Sequence, residues 1–300
     1  MLYGALEAGG TRMICAVGNE NGQILDQISI PTSTPDETMP KVIEYFKTKL
    51  DPALPDDEKI QALGIACFGP VDVRAGSKTY GNILNTPKIA WRNFPMLQTL
   101  KDALGNIPMG FDTNVNCSLL GEATWGSAKG LSDAVYITIG NGIGMGAISG
   151  GNPVHGMLHP EAGHLAMSRI PGDDYKGHCP SHGACFEGMA CGAAIEERWG
   201  KAARELGDRP EVWELEAKYI AQAISDILLV LSPQKIILGG GVMNQKKLFP
   251  LVRKYVLEYI NEYIDTKELR NIDSFIAPAA LNGIQGITGA LKLAENAAAE

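Results

Sequence analysis

Short apolar runs and longer amphipathic stretches alternate along this chain in an order that occurs twice. Residues 2–6 and 13–17 are apolar runs bounded by turn residues, which predicts the strands of a meander that closes near Ile30. After the loop Pro31-Thr32-Ser33-Thr34-Pro35-Asp36, the stripe Val42, Ile43, Phe46 and Leu50 predicts a helix over 37–50. Residues 59–68 read as a buried strand ending at Gly69-Pro70, and 80–94 as irregular. A strand over 109–111 ends at Asp112, and 113–125 reads as helix. A second pair of apolar runs follows at 134–139 and 147–148, and then a loop-rich stretch over 155–191. Trp213, Tyr219, Ile220, Ile224, Ile227, Leu228 and Leu231 keep helical spacing over 212–231, which Ser232-Pro233 ends. A buried strand at 235–238 and helices over 248–264 and 283–298 complete the chain. Meander, helix, strand and helix, given twice, predict a duplicated α/β protein with a ligand in the cleft between its halves.

Composition narrows the function classes. The 300 residues suggest about two domains. A hydrophobic fraction of 45% and a charged fraction of 20% fit a soluble globular protein. The net charge of −8 argues against nucleic acid as a partner, since phosphate-backbone binding needs basic clusters. No uninterrupted apolar window reaches membrane-spanning length, and the first residues show no basic-then-apolar signal, so a cytoplasmic protein without a membrane partner is expected. Cys15, Cys67 and Cys117 sit among apolar neighbours, whereas Cys179, Cys185 and Cys191 lie in a polar stretch, where metal binding is the better reading than disulfides.

Two glycine turns join the paired strands. The first is Glu7-Ala8-Gly9-Gly10-Thr11-Arg12; the second is Gly140-Asn141-Gly142-Ile143-Gly144-Met145-Gly146. Neither is a P-loop or a G-x-G-x-x-G motif, because both of those lead directly into a helix and neither spacing is present. Glycine turns let backbone N–H groups approach an anion, so the pair predicts one phosphate-bearing ligand. Leu238-Gly239-Gly240-Gly241, a strand meeting a glycine run, suits the close approach of a flat group such as adenine.

Two further constellations carry chemistry. Asp112, where strand meets helix, suits either a helix cap or a general base that takes a proton from an attacking hydroxyl. Cys179-x-x-His182-x-x-Cys185 offers three zinc-type ligands, and His164 and His178 compete to be the fourth of a closed structural site. Glu161 and Glu187 flank that cluster and are candidates to accept hydrogen bonds from sugar hydroxyls; His155 and His159 receive no role.

With these motifs in view, nearly the whole chain resembles the ROK family of sugar kinases, and most closely its bacterial fructokinase branch. The marks are Glu7-Ala-Gly-Gly-Thr-Arg12, Phe111-Asp112-Thr113-Asn114, Pro160-Glu161-Ala162-Gly163-His164, the cluster from Cys179 to Glu187, and Leu238-Gly239-Gly240-Gly241. The resemblance implies the actin-like, ribonuclease-H-like α/β fold with two similar domains: 1–115 with a C-terminal helix over about 281–300, and 116–280 carrying the zinc loop. It implies that Glu7, Gly9, Gly10, Thr11, Arg12, Gly140, Gly142 and Gly144 hold ATP phosphates, and that Gly239, Gly240 and Gly241 lie near adenosine. Asp112 becomes the catalytic base and a sugar ligand, Glu161, His164 and Glu187 the other sugar ligands, and His164, Cys179, His182 and Cys185 the set for a structural Zn2+.

Mg2+ with ATP, a hexose substrate and a homodimer are implied by the same resemblance. The chain departs from the family pattern in Glu7 and Arg12, where Asp and Lys are usual. It departs again in Phe111, where glucokinases carry Asn, and in a histidine that replaces one zinc cysteine. Phosphorylation of fructose to fructose 6-phosphate is the expectation. A mannose, glucose or N-acetylhexosamine kinase is the alternative on the same scaffold, and a sugar-responsive repressor the alternative of another class.

Overall fold

The opening meander forms as its turn-bounded apolar runs predict, in a computed structural model that describes residues 1–300. Strands β1 (Leu2–Ala8), β2 (Arg12–Asn19) and β3 (Ile24–Pro31) are followed by α1 (Pro35–Thr48), β4 (Ile60–Cys67), α2 (Met96–Leu104), β5 (Met109–Thr113) and α3 (Asn114–Thr124). Helix α2 has no counterpart among the sequence expectations. Leu6 and Ala8 of β1 enter a core with Val42 and Phe46 of α1, and with Trp91, Met96 and Leu100. Tyr3 and Ala5, on the other face of β1, enter a second core. A strand buried on both faces reads as a continuous apolar run, which is how 2–6 looks in the sequence.

The chain then builds a second sheet. Strands β6 (Ala134–Ile139), β7 (Ile143–Ser149) and β8 (Asn152–Pro153) precede α4 (Phe186–Ala190), α5 (Gly192–Trp199) and α6 (Pro210–Leu231). Strand β9 (Lys235–Gly239), α7 (Leu248–Ile260), α8 (Lys267–Arg270), α9 (Ile272–Phe275) and β10 (Ile276–Pro278) follow, and α10 (Gln285–Ala299) ends the chain. Helix α7 stops at Asn261 in left-handed backbone, short of the expected 264. Strand β7 starts at Ile143 rather than 147, so Gly144 and Gly146 belong to a strand and not to the turn.

The two sheets share one topology. Their strand orders are β3-β2-β1-β4-β5 and β8-β7-β6-β9-β10. In each, the first hairpin is antiparallel, the central strand pairs parallel with the strand after it, and that strand pairs parallel with the last. The chain divides into two compact units: Met1–Gly130 with Pro153–His159 and Ile284–Glu300, and Leu131–Asn152 with Pro160–Gly283. The first division falls beyond α3, where the sequence suggests 115. The reason is packing: Cys117 of α3 shares a core with Ile287, Ala290, Leu291 and Ala294 of α10 and with Ala5, Ala16, Ala62 and Ala66 of the sheet. Small side chains on the strands let both helices approach closely. No helix is long and apolar enough to cross a membrane.

Candidate functional site

Asp112 is the penultimate residue of β5 and is buried. The cap of α3 is Thr113, whose Oγ1 accepts from Asn116 N at 3.0 Å, so Asp112 is not the capping residue. Its own carboxylate is held from three sides. Oδ1 accepts from Thr113 N at 2.6 Å and Asn116 Nδ2 at 2.8 Å, and Oδ2 lies 3.0 Å from His155 Nε2. Asn116 is one turn into the helix from Asp112, which brings its amide back over the strand end. The hydrogen bond to Asp112 raises the His155 pKa above its ordinary value, with burial opposing. A carboxylate oxygen only accepts, so this contact is a hydrogen bond with the proton on Nε2, and Asn116 Nδ2 at 3.2 Å is then a neighbour and not a donor to it.

His155 reaches Asp112 because the segment Pro153–His159 returns to the first unit. His159, itself buried, fastens the segment by accepting Val71 N at 3.1 Å through Nε2. Neither histidine had a role in the sequence reading. No spacing signal marks His155, since the contact depends on a long-range return of the chain.

The first glycine turn, Gly9-Gly10-Thr11, joins β1 to β2 and leaves Arg12 as the first residue of the second strand. Gly9 N donates to Arg12 O at 3.0 Å, and Thr32 Oγ1 clamps the turn by donating to Gly9 O at 2.8 Å. Arg12 is exposed and makes no ion pair, which leaves its guanidinium available to an anion. Burial pushes the Glu7 carboxyl up to about 7, with the charge of Arg12 acting against the rise.

In the second unit the turn and the Cys/His loop form one assembly. Gly140 N donates to Gly142 O, and Gly192 N, at the start of α5, donates to Gly140 O at 2.7 Å. Glu187 Oε2 accepts Ile143 N at 2.9 Å and occupies the place a Gly142 side chain would need. Glu187 thus braces the turn, a contact the sequence reading did not contain. Glu161 lies at the head of a 3-10 turn over 162–164. Its carboxyl is pushed up to about 7, mainly by desolvation and then by the negative charge of Glu187.

His164, Cys179, His182 and Cys185 bring one ligand atom each to within 4.8 Å of one another. Individual spacings are 3.5 Å for Cys185 Sγ to His164 Nδ1, 3.8 Å for Cys179 Sγ to the same atom, and 3.7 Å for Cys179 Sγ to His182 Nδ1. A tetrahedral ion bound by N at about 2.0 Å and S at about 2.3 Å sets its ligands roughly 3.3–3.8 Å apart. The donor set suits such an ion, and these three spacings fall within that range. His178 is turned away, with Nδ1 2.6 Å from Glu197 Oε2, and Cys191 caps α5 by accepting Ala194 N. The loop is tied to the helices by Asp173, which receives Arg198 at 3.1 Å and the Tyr219 hydroxyl at 2.6 Å.

The third glycine run sits at the end of β9. Gly240 has φ +89°, and a side chain there would run into the backbone of Ile139, so its glycine is explained by the turn and by the neighbouring strand. Gly239 packs on the Tyr136 ring, while Gly241 faces open space. Of the three, only Gly241 is free of a packing demand.

These features stand in a chain whose residues 3–297 match the model of the ROK family. The chain belongs to the ROK family. A protein of Bacillus subtilis (strain 168) is 51% identical over 297 residues, covering 99% of this chain and 96% of that protein. The fructokinase of Pediococcus pentosaceus is 44% identical over 297 residues, covering 99% of both. The crystal structure of the ROK hexokinase from Thermus thermophilus superposes with a TM-score of 0.77 at 24% identity, covering 99% of this chain and 98% of that one. The fold is accordingly the actin-like one of ROK sugar kinases, in which the duplicated sheets described above are the core.

Proposed function

We propose that this protein phosphorylates fructose at its 6-hydroxyl, using ATP with Mg2+. The supporting observation is a buried carboxylate, Asp112, held by three donors at the end of β5 in a chain 44% identical to a fructokinase. The hydroxyl oxygen of the sugar attacks the γ-phosphorus, the bond from phosphorus to the ADP oxygen breaks, and the hydroxyl proton passes to Asp112. Phosphoryl transfer needs chiefly positioning and charge stabilisation, so one correctly placed carboxylate is enough for the proton. Gly9, Gly10, Thr11 and Arg12, with Gly140, Gly142 and Gly144, serve the phosphates through backbone donors and the Arg12 charge. Glu7 serves the Mg2+ that arrives with ATP, and Gly239, Gly240 and Gly241 the adenosine. Glu161, His164 and Glu187 bind sugar hydroxyls.

Zinc is the ion that suits the Cys2His2 set, and it would fix the loop that carries Glu161 and Glu187. The division of labour is then between the unit that carries Asp112, α3 and the last helix and the unit that carries the Cys/His loop, in a cytoplasmic homodimer.

One observation favours a second assignment of the base. The His155 side chain is 33% exposed and that of Asp112 only 8%, so His155 is the more accessible member of the pair. In that arrangement Asp112 orients His155 and the imidazole takes the proton, the logic of an Asp–His couple in hydrolases.

The substrate is tested by ADP release with Mg-ATP against fructose, mannose, glucose and N-acetylhexosamines. Fructose should give the highest kcat/KM. A kcat/KM for glucose equal to or above that for fructose overturns the specificity.

A further inference from the structure

The irregular stretch between β4 and α2 brings one cation to the first glycine turn. A side chain on Gly10 would meet Lys88 Cε at 2.7 Å and Nζ at 3.6 Å, so the lysine stem lies across the turn in the place a Cβ would occupy. Lys88 is partly buried and makes no ion pair. Its position is fixed by neighbours. Lys88 leads a 3-10 turn over Ile89–Trp91, Trp91 is buried, and Trp91 Nε1 donates to Ser33 O at 2.6 Å. The preceding residue, Thr32, is the one that clamps Gly9 O. Adjacent residues of one loop thus hold the glycine turn on one side and the lysine-bearing segment on the other. An ammonium without a carboxylate partner, on a segment held against a turn that offers backbone donors, is arranged to meet an anion.

We propose that Lys88 is a phosphate ligand of this site, supplying a second cation beside Arg12 to the terminal phosphate of the donor. This assignment rests on the reading of the first glycine turn as a phosphate loop. In the transfer step, charge spreads over the oxygens of the moving phosphoryl group, and a fixed ammonium stabilises it without gaining or losing a proton.

The test uses the full chain and Lys88→Met, which keeps the stem and removes the charge, with Lys88→Arg as the charge-keeping control. Tripolyphosphate binding is measured by calorimetry at fixed ionic strength, and kinetics with Mg-ATP and fructose in parallel. A charge-assisted contact of this kind predicts about 10- to 100-fold weaker tripolyphosphate binding by Lys88→Met, with Lys88→Arg recovering part of it. A loss of at least about threefold supports the assignment, and anything smaller overturns it. In the kinetics, KM for fructose should hold while kcat/KM for Mg-ATP falls. A rise in fructose KM with unchanged Mg-ATP parameters overturns the phosphate role and gives Lys88 to the sugar. The binding arm separates the two readings: native protein that binds tripolyphosphate through Lys88 but phosphorylates no sugar sinks the kinase proposal and leaves Lys88 standing.

Discussion

Replacing Asp112 by Asn removes the carboxylate at the end of β5 while keeping its shape. Thr113 N and Asn116 Nδ2 both donate to Oδ1, so an NH2 group in that place would face two donors. The asparagine oxygen must therefore take the Oδ1 place and its NH2 the Oδ2 place, opposite His155 Nε2. His155 can accept from that NH2 by moving its own proton to Nδ1. The fold then exchanges three hydrogen bonds to a carboxylate for three to a neutral amide, a cost of about 1–4 kcal/mol. Asp112→Asn should melt cooperatively, a few degrees below the native protein. Its kcat should fall by about 100- to 10,000-fold, the usual worth of a proton acceptor, which corresponds to roughly 3–5 kcal/mol of barrier. The assay is ADP release with saturating Mg-ATP and fructose, beside a thermal melt of the same sample. A folded variant whose kcat stays within about tenfold of native would falsify any role for Asp112 in proton transfer.

Two further perturbations separate what Asp112→Asn leaves joined. His155→Gln keeps a donor for Oδ2: if Asp112 is the base, kcat should fall by no more than about tenfold, whereas loss of about 100-fold or more assigns the base to His155. Native protein gives the same answer by pH. Because Asp112 raises the His155 pKa, a histidine base puts an acid limb in kcat at or above the histidine reference of 6.5, and a flat profile from pH 6 to 8 excludes it. The linked stability has a definite sign: a folded pKa above the unfolded one stabilises fully below 6.5 and loses that contribution as pH rises through the folded value. The melting-temperature gap between native protein and His155→Gln should thus narrow from pH 6 to pH 9, and an equal gap at both ends removes the ion-pair reading. For the metal, elemental analysis should find one zinc per chain; chelation, or Cys179→Ser, should raise KM for fructose by loosening the loop of Glu161 and Glu187. Metal-free protein with native KM would sink the zinc assignment.

The parts of the molecule that were legible in the sequence are those whose signal is local. Helix α6 announces itself because its apolar stripe persists over 22 residues. The Cys/His set is legible because its donors are chemically rare and clustered; the choice between His164 and His178 rests on the fold, in which Glu197 claims the latter. Strand β7 was misread for a physical reason. Its glycines alternate with Ile143, Met145 and Ala147, all buried, so the period-2 pattern is present with one face reduced to hydrogen or small groups. Helix α4 is hidden in the loop-rich stretch because its cap is Cys185, a residue that reads as a metal ligand rather than as a helix start, and α5, capped by Cys191, follows directly where no element is expected. His155 lies 43 positions from Asp112, and nothing in composition or spacing reports that the chain turns back there.

The duplication supplies a scaffold and leaves the chemistry to what each half lays over its hairpin. Both central hairpins sit at the same place in sheets of the same order, yet they are braced by opposite means. The first turn is clamped through a carbonyl, by Thr32 on Gly9, and carries Arg12 and Lys88 as unpaired cations beside it. The second is held through a backbone N–H, by the carboxylate of Glu187, so negative charge already occupies part of its donor surface. The first turn therefore has two cations beside it, and the second keeps only the donors that Glu187 has not taken. Gly10 and Gly142 mark the difference most sharply, since the space above one is filled by a lysine stem and the space above the other by a glutamate oxygen.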